Sequence, residues 1–336
     1  MEGKLIITEE MDQETWNRFC LQHGGNIYQS PYFYHITRAA RGYIPHPRFA
    51  LYQGELVASI LPVEVRIMPS IFNPISNRLV IFGGALWQPD EIGLRSVVEL
   101  FQNLLSSRNL PPYLFGEVRN YQSVEALIPL LEPLQVHYVD YLNYRVDLTR
   151  PLEDVWRAMR KERQRGIRKA EKQGFVFREA RNIQEVEQFY QILHELYRRK
   201  KIPLADISLF TGKWEEYAPL NVLKIFVVEH QGNIVGGRAM LLYNGIGYEW
   251  YTAARLDYAP THVNEWMVWR TFVYLQENGY QAYDFCGAGK PDEKYGVGEF
   301  KKRFGGQELR YGRFFFTPRP RLYRVIQSVY GRIQKR

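Results

Sequence analysis

Two stretches of this 336-residue chain repeat one another, and the repeat limits its fold more than any other feature. Gln53-Gly54-Glu55-Leu56-Val57-Ala58-Ser59 parallels Gln231-Gly232-Asn233-Ile234-Val235-Gly236-Gly237. Each stretch is a tight turn that opens an apolar strand, and each follows an apolar strand beginning near Phe49 or Phe226. Behind each come further strand-like sequence, an apolar helix, and a strand carrying Tyr-x-Phe, at Tyr113 to Phe115 and at Tyr283 to Phe285. Two copies of one α/β unit are the economical explanation. The length allows two domains of ordinary size.

In chain order, the pattern predicts a strand over Leu5 to Thr8, a helix through Trp16, Phe19 and Cys20, and a second helix from Pro31 to Ala40. Strands follow over Arg48 to Tyr52, Leu56 to Arg66 and Leu79 to Phe82. Leu94, Val97, Val98, Phe101, Leu104 and Leu105 recur at helical spacing between Asp90 and Ser107. Tyr113 to Val118 and Tyr141 to Leu148 read as strands, with a domain boundary expected at 147/148. A single helix is expected from Asp154 to about Gln173, bent or broken at Gly166, where glycine costs ~1 kcal/mol relative to alanine. The second copy continues through Leu223 to Glu229, Ile234 to Tyr243, Gly247 to Ala253, a helix over Val263 to Asn278, and the strand into Asp284.

The balance of 44 Lys and Arg against 36 Asp and Glu, net +8, favours an anionic partner: nucleic acid, a nucleotide-diphosphate substrate or an acidic membrane surface. Charge alone does not choose among them. Cys20 and Cys286 are too few and too far apart for a disulfide framework or a cysteine-ligated metal site, and no metal is expected. No stretch reaches the roughly 20 apolar residues that span a bilayer, and the acidic start lacks a signal-peptide hydrophobic region. A soluble, cytoplasmic protein is expected.

Two segments carry candidate chemistry. Between Arg157 and Lys172 there are eight cations in sixteen residues, opposed by Glu162 and Glu171. Their mutual repulsion is offset by a bound polyanion, or the run is a solvated face. The second segment follows Asp284, where an expected strand opens into a bend holding Gly287 and Gly289. Then come Phe300-Lys301-Lys302-Arg303-Phe304-Gly305-Gly306, three cations between phenylalanines that ask to be buried, which presents at least one cation from a fixed backbone.

A strand ending Tyr283-Asp284-Phe285-x-Gly287, a glycine-rich loop, and Phe300-Lys301-x-x-Phe304-Gly305-Gly306 resemble the C-terminal signature of the FemABX family, the non-ribosomal peptidyltransferases that add amino acids to peptidoglycan precursors. Ile167-Arg168-Lys169-Ala170 with Glu171 and Gly174 resembles a second element of that family. The resemblance implies an α/β fold of two tandem N-acetyltransferase-like (GNAT) domains: 1–147, completed by a helix over 320–336, and 148–319. The short link between Lys201 and Leu223 has no room for a coiled-coil arm, as in the compact FemX type.

The implied activity is transfer of an amino acid from aminoacyl-tRNA to an amine of a nucleotide- or lipid-linked muropeptide. The carry-over gives Lys301, fixed by Phe300, the role of stabilising the oxyanion. Asp284 orients the attacking amine or is a structural strand-end carboxylate. Tyr251 lines the acceptor channel or belongs to an aromatic core. Lys302 and Arg303 contact phosphate or stay solvated, and Arg38 is the nearest cation to the family's nucleotide-phosphate contact. Arg160, Lys161, Arg165, Arg168 and Lys169 are the expected tRNA contacts. Peripheral association with the inner membrane face and no stable protein partner complete the reading.

No cofactor is expected, with aminoacyl-tRNA as co-substrate. CoA is disfavoured because Ala254 to Thr261, where acetyltransferases of this fold place a phosphate-gripping glycine loop, contains no glycine, and the stretch Trp87 to Leu94 in the first copy has no arginine loop. No serine or cysteine with a histidine partner is recognisable, so direct transfer is expected. An acyltransferase using acyl-CoA or an acyl carrier on an amino sugar, and a non-enzymatic RNA-binding module, are the competing readings.

Overall fold

Gln53 and Gly54, at φ 53° and 89°, close the turn between the first pair of repeated strands, and Gln231 and Gly232, at 50° and 77°, close the second. Two consecutive positive φ values match the right-handed strand twist, which is why the repeated dipeptide is a hairpin turn in both copies. The computed structural model describes residues 4–66, 77–107, 110, 112–293 and 295–321. It divides into two units: residues up to Asp140 with those from Tyr311 onward, and Tyr141–Arg310.

Unit 1 carries strands β1 (Leu5–Thr8), β2 (Tyr43–Pro45), β3 (Arg48–Tyr52), β4 (Glu55–Ile60), β5 (Pro62–Val65), β6 (Arg78–Ile81), β7 (Leu86–Trp87), β8 (Phe115–Arg119) and β9 (His137–Val139). Its main helices are α1 (Gln13–Gln22), α2 (Pro31–Ala39) and α3 (Glu91–Ser106). Asp90 caps α3 by accepting the Gly93 amide at 2.7 Å, and Val97, Leu100, Phe101 and Leu104 bury one face of that helix in the unit's core. The single strand expected over Leu56 to Arg66 is two strands. Pro62 interrupts the pairing, so β4 joins β1, β3 and β7 while β5 joins β2 and β6.

Unit 2 opens with β10 (Leu142–Asp147), α4 (Leu152–Ala158), α5 (Lys161–Glu171), β11 (Val176–Glu179) and α6 (Ile183–Arg199). It continues with β12 (Leu223–His230), β13 (Asn233–Tyr243), β14 (Ile246–Ala254), α7 (Val263–Glu277), β15 (Ala282–Asp284), α8 (Gly296–Lys302) and β16 (Gln307–Arg310). The helix expected from Asp154 to Gln173 is broken at Met159 and Arg160, both extended at ψ 148° and 140°. Gly166 does not bend α5. A Cβ there meets the His262 ring at 2.9 Å, so this glycine lets α5 lie directly on the start of α7.

The sheet orders reveal a reciprocal insertion. In unit 2 the order is β11-β12-β13-β14-β15-β10-β16, so β10, which precedes the unit's other strands in sequence, sits antiparallel between β15 and β16. In unit 1 the order β2-β5-β6-β8-β17-β9 seats β17 (Arg313–Phe316), which follows all of unit 2, antiparallel between β8 and β9. The boundary expected at 147/148 therefore falls one strand late, because β10 pairs only within unit 2. The expected tail helix over 320–336 lies outside the described residues from 322 onward.

Each inserted strand is fixed by an arginine on a buried carboxylate of its neighbour. Arg145 on β10 donates to Asp284 on β15, and Arg313 on β17 donates to Glu117 on β8. Burial pushes the Glu117 carboxyl up, but the Arg119 and Arg313 guanidiniums outweigh burial and hold it at about 2. Because the folded value lies below the unfolded one, this stabilisation is complete above pH 4.5 and fades as pH falls toward 2, with a full size on the order of 3 kcal/mol. Urea unfolding at pH 7 and pH 3 checks it: Glu117→Gln is expected to be less stable than wild type at pH 7 and to lose less on acidification. Equal acid slopes in the two proteins count against the pairing.

Candidate active site

Phe285 leaves β15 and keeps its bond to β10, its amide donating to Tyr144 O at 3.0 Å, while β14 loses its neighbour. β14 pairs with β15 only from Ile246 to Tyr248 and runs on to Ala254. The two strands therefore part at Glu249, and among the described residues no strand takes β15's place beside Glu249 to Ala254. Trp250 forms a bulge one residue beyond, since Glu249 and Tyr251 face consecutive residues of β13.

A buried triad marks the parting. The Arg238 guanidinium, 1% exposed, donates to Glu249 and to the Tyr283 hydroxyl, which itself donates to Glu249. Burial drives the Tyr283 hydroxyl well above its ordinary range, with Glu249 adding to burial against the opposing Arg238 charge, so the phenol stays neutral.

The bend after β15 is held on every side. Asp284 accepts four hydrogen bonds: from Asn143 Nδ2 and the Cys286 amide on one oxygen, and from Arg145 Nε and Nη2 on the other. Cys286 takes φ 55°, a left-handed conformation that costs a non-glycine residue about 1 kcal/mol and persists because these bonds enforce it. Gly287 N donates to Asn143 Oδ1 at 3.0 Å and Ala288 N to Leu142 O at 2.7 Å. Helix α8 closes the bend from the other side. The Lys301 ammonium donates to Phe285 O and to Gly287 O, and Gly298, one turn earlier, has Ala288 O only 2.3 Å from where a Cβ would stand. Gly305, at φ 77°, lets the chain leave α8 against Ala158 O.

The motif residues thus fall into distinct places. Lys301, 7% exposed, caps the bend with two of its three N–H groups engaged, and the amides from Phe285 to Ala288 all have acceptors. The donor left over within that set is the third N–H of Lys301. Asp284, fully buried with both oxygens bonded, is a structural anchor for the inserted strand and the bend, and the expectation that it handles the amine is not retained. Phe300 packs on Phe304 at 5.1 Å and lies 4.5 Å beneath the Arg163 guanidinium, so it fastens α8 to α5. Arg303 pairs with Glu162, Lys302 is exposed, and Tyr251 packs against Phe210 and Tyr197 in an aromatic cluster. Arg38 lies in unit 1, exposed, its Nη1 donating to Tyr34 Oη at 3.1 Å.

The five cations expected to meet phosphate, Arg160, Lys161, Arg165, Arg168 and Lys169, are all exposed on or beside α5. Among the described residues none has a carboxylate partner, whereas Arg163 is turned inward to Glu265 at 2.6 Å. Burial lowers the Arg163 guanidinium from its usual value, and Glu265 opposes that shift. Arg163 was indistinguishable from its neighbours by residue type; the signal that finds it is the pair of phenylalanines, Phe300 on α8 and Phe304 just past it. Together with Glu162–Arg303 and the bond from Arg160 N to Arg303 O at 3.0 Å, it bolts the basic helix to the helix of Lys301.

Residues 157–302 match the model of the acetyltransferase (GNAT) domain family. No curated protein matches the chain. Among solved structures, FemX is similar at TM-score 0.71 with 12% identity, covering 96% of this chain and 99% of its own. The L-PGS from Bacillus licheniformis is similar at 0.60 with 15% identity and 98% of each chain. A tandem GNAT protein from the clavulanic acid biosynthesis pathway is similar at 0.53 with 10% identity, covering 94% of this chain and 98% of its own. What the family match and the architecture together describe is an acyltransferase built on the FemX-like tandem GNAT fold.

Proposed function

We propose that the protein transfers an aminoacyl group from aminoacyl-tRNA to an amine of a peptidoglycan precursor, as FemABX-type enzymes do. The observation that carries this reading is the bolt between α5, whose exposed cations have no carboxylate partner among the described residues, and the helix that holds Lys301. A polyanionic donor laid on α5 is fixed relative to the bend, so docking of its body positions its acyl end. The amine attacks the ester carbonyl, a C–N bond forms, the C–O bond to the ribose breaks, and the amine proton leaves to solvent or the ribose oxygen. In this reading the third N–H of Lys301 meets the charge that develops on the carbonyl oxygen. The stretch of β14 beyond Glu249, where β15 no longer runs beside it, supplies the slot for the extended acyl end.

The residues present do not fit a CoA pyrophosphate. Leu256–Thr261 is a 3-10 turn without glycine that contains Pro260, and the anionic position at the start of α7 is taken by Glu265, paired to Arg163. The acceptor in this reading is a nucleotide- or lipid-linked muropeptide.

The test is transfer by purified protein to a muropeptide pool, with labelled aminoacyl-tRNA or acyl-CoA as donor. Ribonuclease-sensitive transfer is expected, and Arg165→Glu with Lys169→Glu is expected to raise KM for tRNA on the order of tenfold or more with kcat little changed. Transfer from acyl-CoA alone overturns the reading in favour of an N-acyltransferase.

A further inference from the structure

The last turns of α6 and the exit of β14 enclose a half-open cavity of about 420 Å³. Ile192, Leu196, Ala254 and Leu256 form its apolar wall, Arg198, Arg199 and Arg255 its cationic rim, and Glu195 is the one carboxylate among the described lining residues. It lies at the far end of β14 from the bend that holds Lys301: at a strand rise of about 3.3 Å per residue, Ala254 stands about 17 Å along the strand from the parting at Glu249.

Three features define what it can hold. Arg198 and Arg199 are exposed, and among the described residues neither side chain has a carboxylate or hydrogen-bond partner, although Glu195 stands three and four residues before them. Arg255, by contrast, is held by Asp257 at 3.0 Å, so the free charge of the rim belongs to Arg198 and Arg199. Lys200 and Lys201 extend it to four cations in a row.

Leu256 is 62% exposed at the mouth, and Ile202 is 46% exposed just past the cations. Leu256 is held there by a fixed turn, in which Arg255 N donates to Val235 O at 2.9 Å and Tyr258 N to Arg255 O at 3.1 Å. Among the described residues no aromatic side chain lines the cavity, so a nucleobase finds no stacking platform there. Aliphatic wall and unpaired arginine rim together complement a molecule with an alkyl chain and a phosphate head.

We propose that this cavity binds the anionic phospholipids of a bilayer surface, alkyl chain against Leu196 and Leu256 and phosphate on Arg198 and Arg199. The site brings the acyltransferase to a membrane and so specifies a lipid-borne acceptor within the reading above, on which that last step alone rests. Cosedimentation of the full chain with vesicles tests it without any transfer assay, so its failure is separate from failure of the proposed activity.

Binding is expected to phosphatidylcholine vesicles carrying phosphatidylglycerol and not to pure phosphatidylcholine. Arg198→Ala with Arg199→Ala is expected to weaken it roughly 30-fold, and Leu256→Ser about tenfold, with unchanged melting temperatures because all three side chains are exposed. Arg165→Ala with Lys169→Ala on α5 is the control and leaves vesicle binding intact. Absence of binding to the anionic vesicles overturns the proposal. So does loss in the α5 control with retention in the Arg198/Arg199 variant, and so does a cavity variant that loses tRNA binding while vesicle binding is unchanged.

Discussion

Lys301→Ala is expected to lower kcat for aminoacyl transfer by about 10² to 10³ while donor binding through α5 persists. Relative to the Phe285–Ala288 amides, which all have acceptors, the substitution removes the donor left over, and it also leaves Phe285 O and Gly287 O without their ammonium. Each stranded carbonyl costs about 1–3 kcal/mol, so a lower melting temperature is expected alongside the activity loss. Lys301→Met also lacks the ammonium but keeps the aliphatic stem, so its difference from Lys301→Ala isolates the lost packing from the lost N–H donors, and added methylammonium entering the vacated space in Lys301→Ala is expected to restore part of kcat. A Lys301→Ala enzyme with full kcat would falsify the assignment of the oxyanion contact. Loss of activity without any methylammonium response reduces the lysine to a clamp on the bend.

A chain ended after Arg310 is expected to lose the fold of unit 1 while unit 2 keeps its own. The deletion takes away β17, which carries Phe314 and Phe316, both buried in the core of unit 1, and the Arg313 partner of Glu117. Two buried phenylalanines contribute roughly 1.5–3 kcal/mol each, and leaving Glu117 with fewer cationic partners in a buried setting adds to that. Both β8 and β9 are left with an open edge. Limited proteolysis read by mass spectrometry is expected to cut unit 1 throughout and to spare Tyr141–Arg310. Equal protection of both units sinks the claim that β17 completes the first sheet.

The hairpins, α3 and α7 were legible because each has a local cause: a turn dipeptide, the Asp90 cap, or an apolar stripe of helical period. The reciprocal insertion was not. β16 and β17 are four residues each and too short to show a period, and the partners that place β10 and β17 lie 139 and 196 residues away at Arg145–Asp284 and Glu117–Arg313. The break at Met159 and Arg160 was hidden since neither residue disfavours helix strongly, whereas Gly166 looked like a hinge and serves as a contact surface.

At the site, the motif around Lys301 was visible from residue types alone. The roles within it were not, because Asp284, Phe300 and Arg163 are distinguished by what packs on them. A carboxylate at a strand end looks the same in sequence whether it meets a substrate amine or an arginine of its own chain.

The insertion of β10 and β17 also bears on the order in which the chain can mature on the ribosome. The first unit to begin emerging is the last to be finished. β8 and β9 must wait for the whole of unit 2 to be translated before the strand that belongs between them appears, an interval of roughly ten to thirty seconds at ordinary elongation rates. Unit 2 has its own inserted strand in hand from the outset. The nascent protein therefore passes through a stage with a finished C-terminal half and an unfinished N-terminal one, exposing two strand edges that invite chaperones or a neighbouring chain.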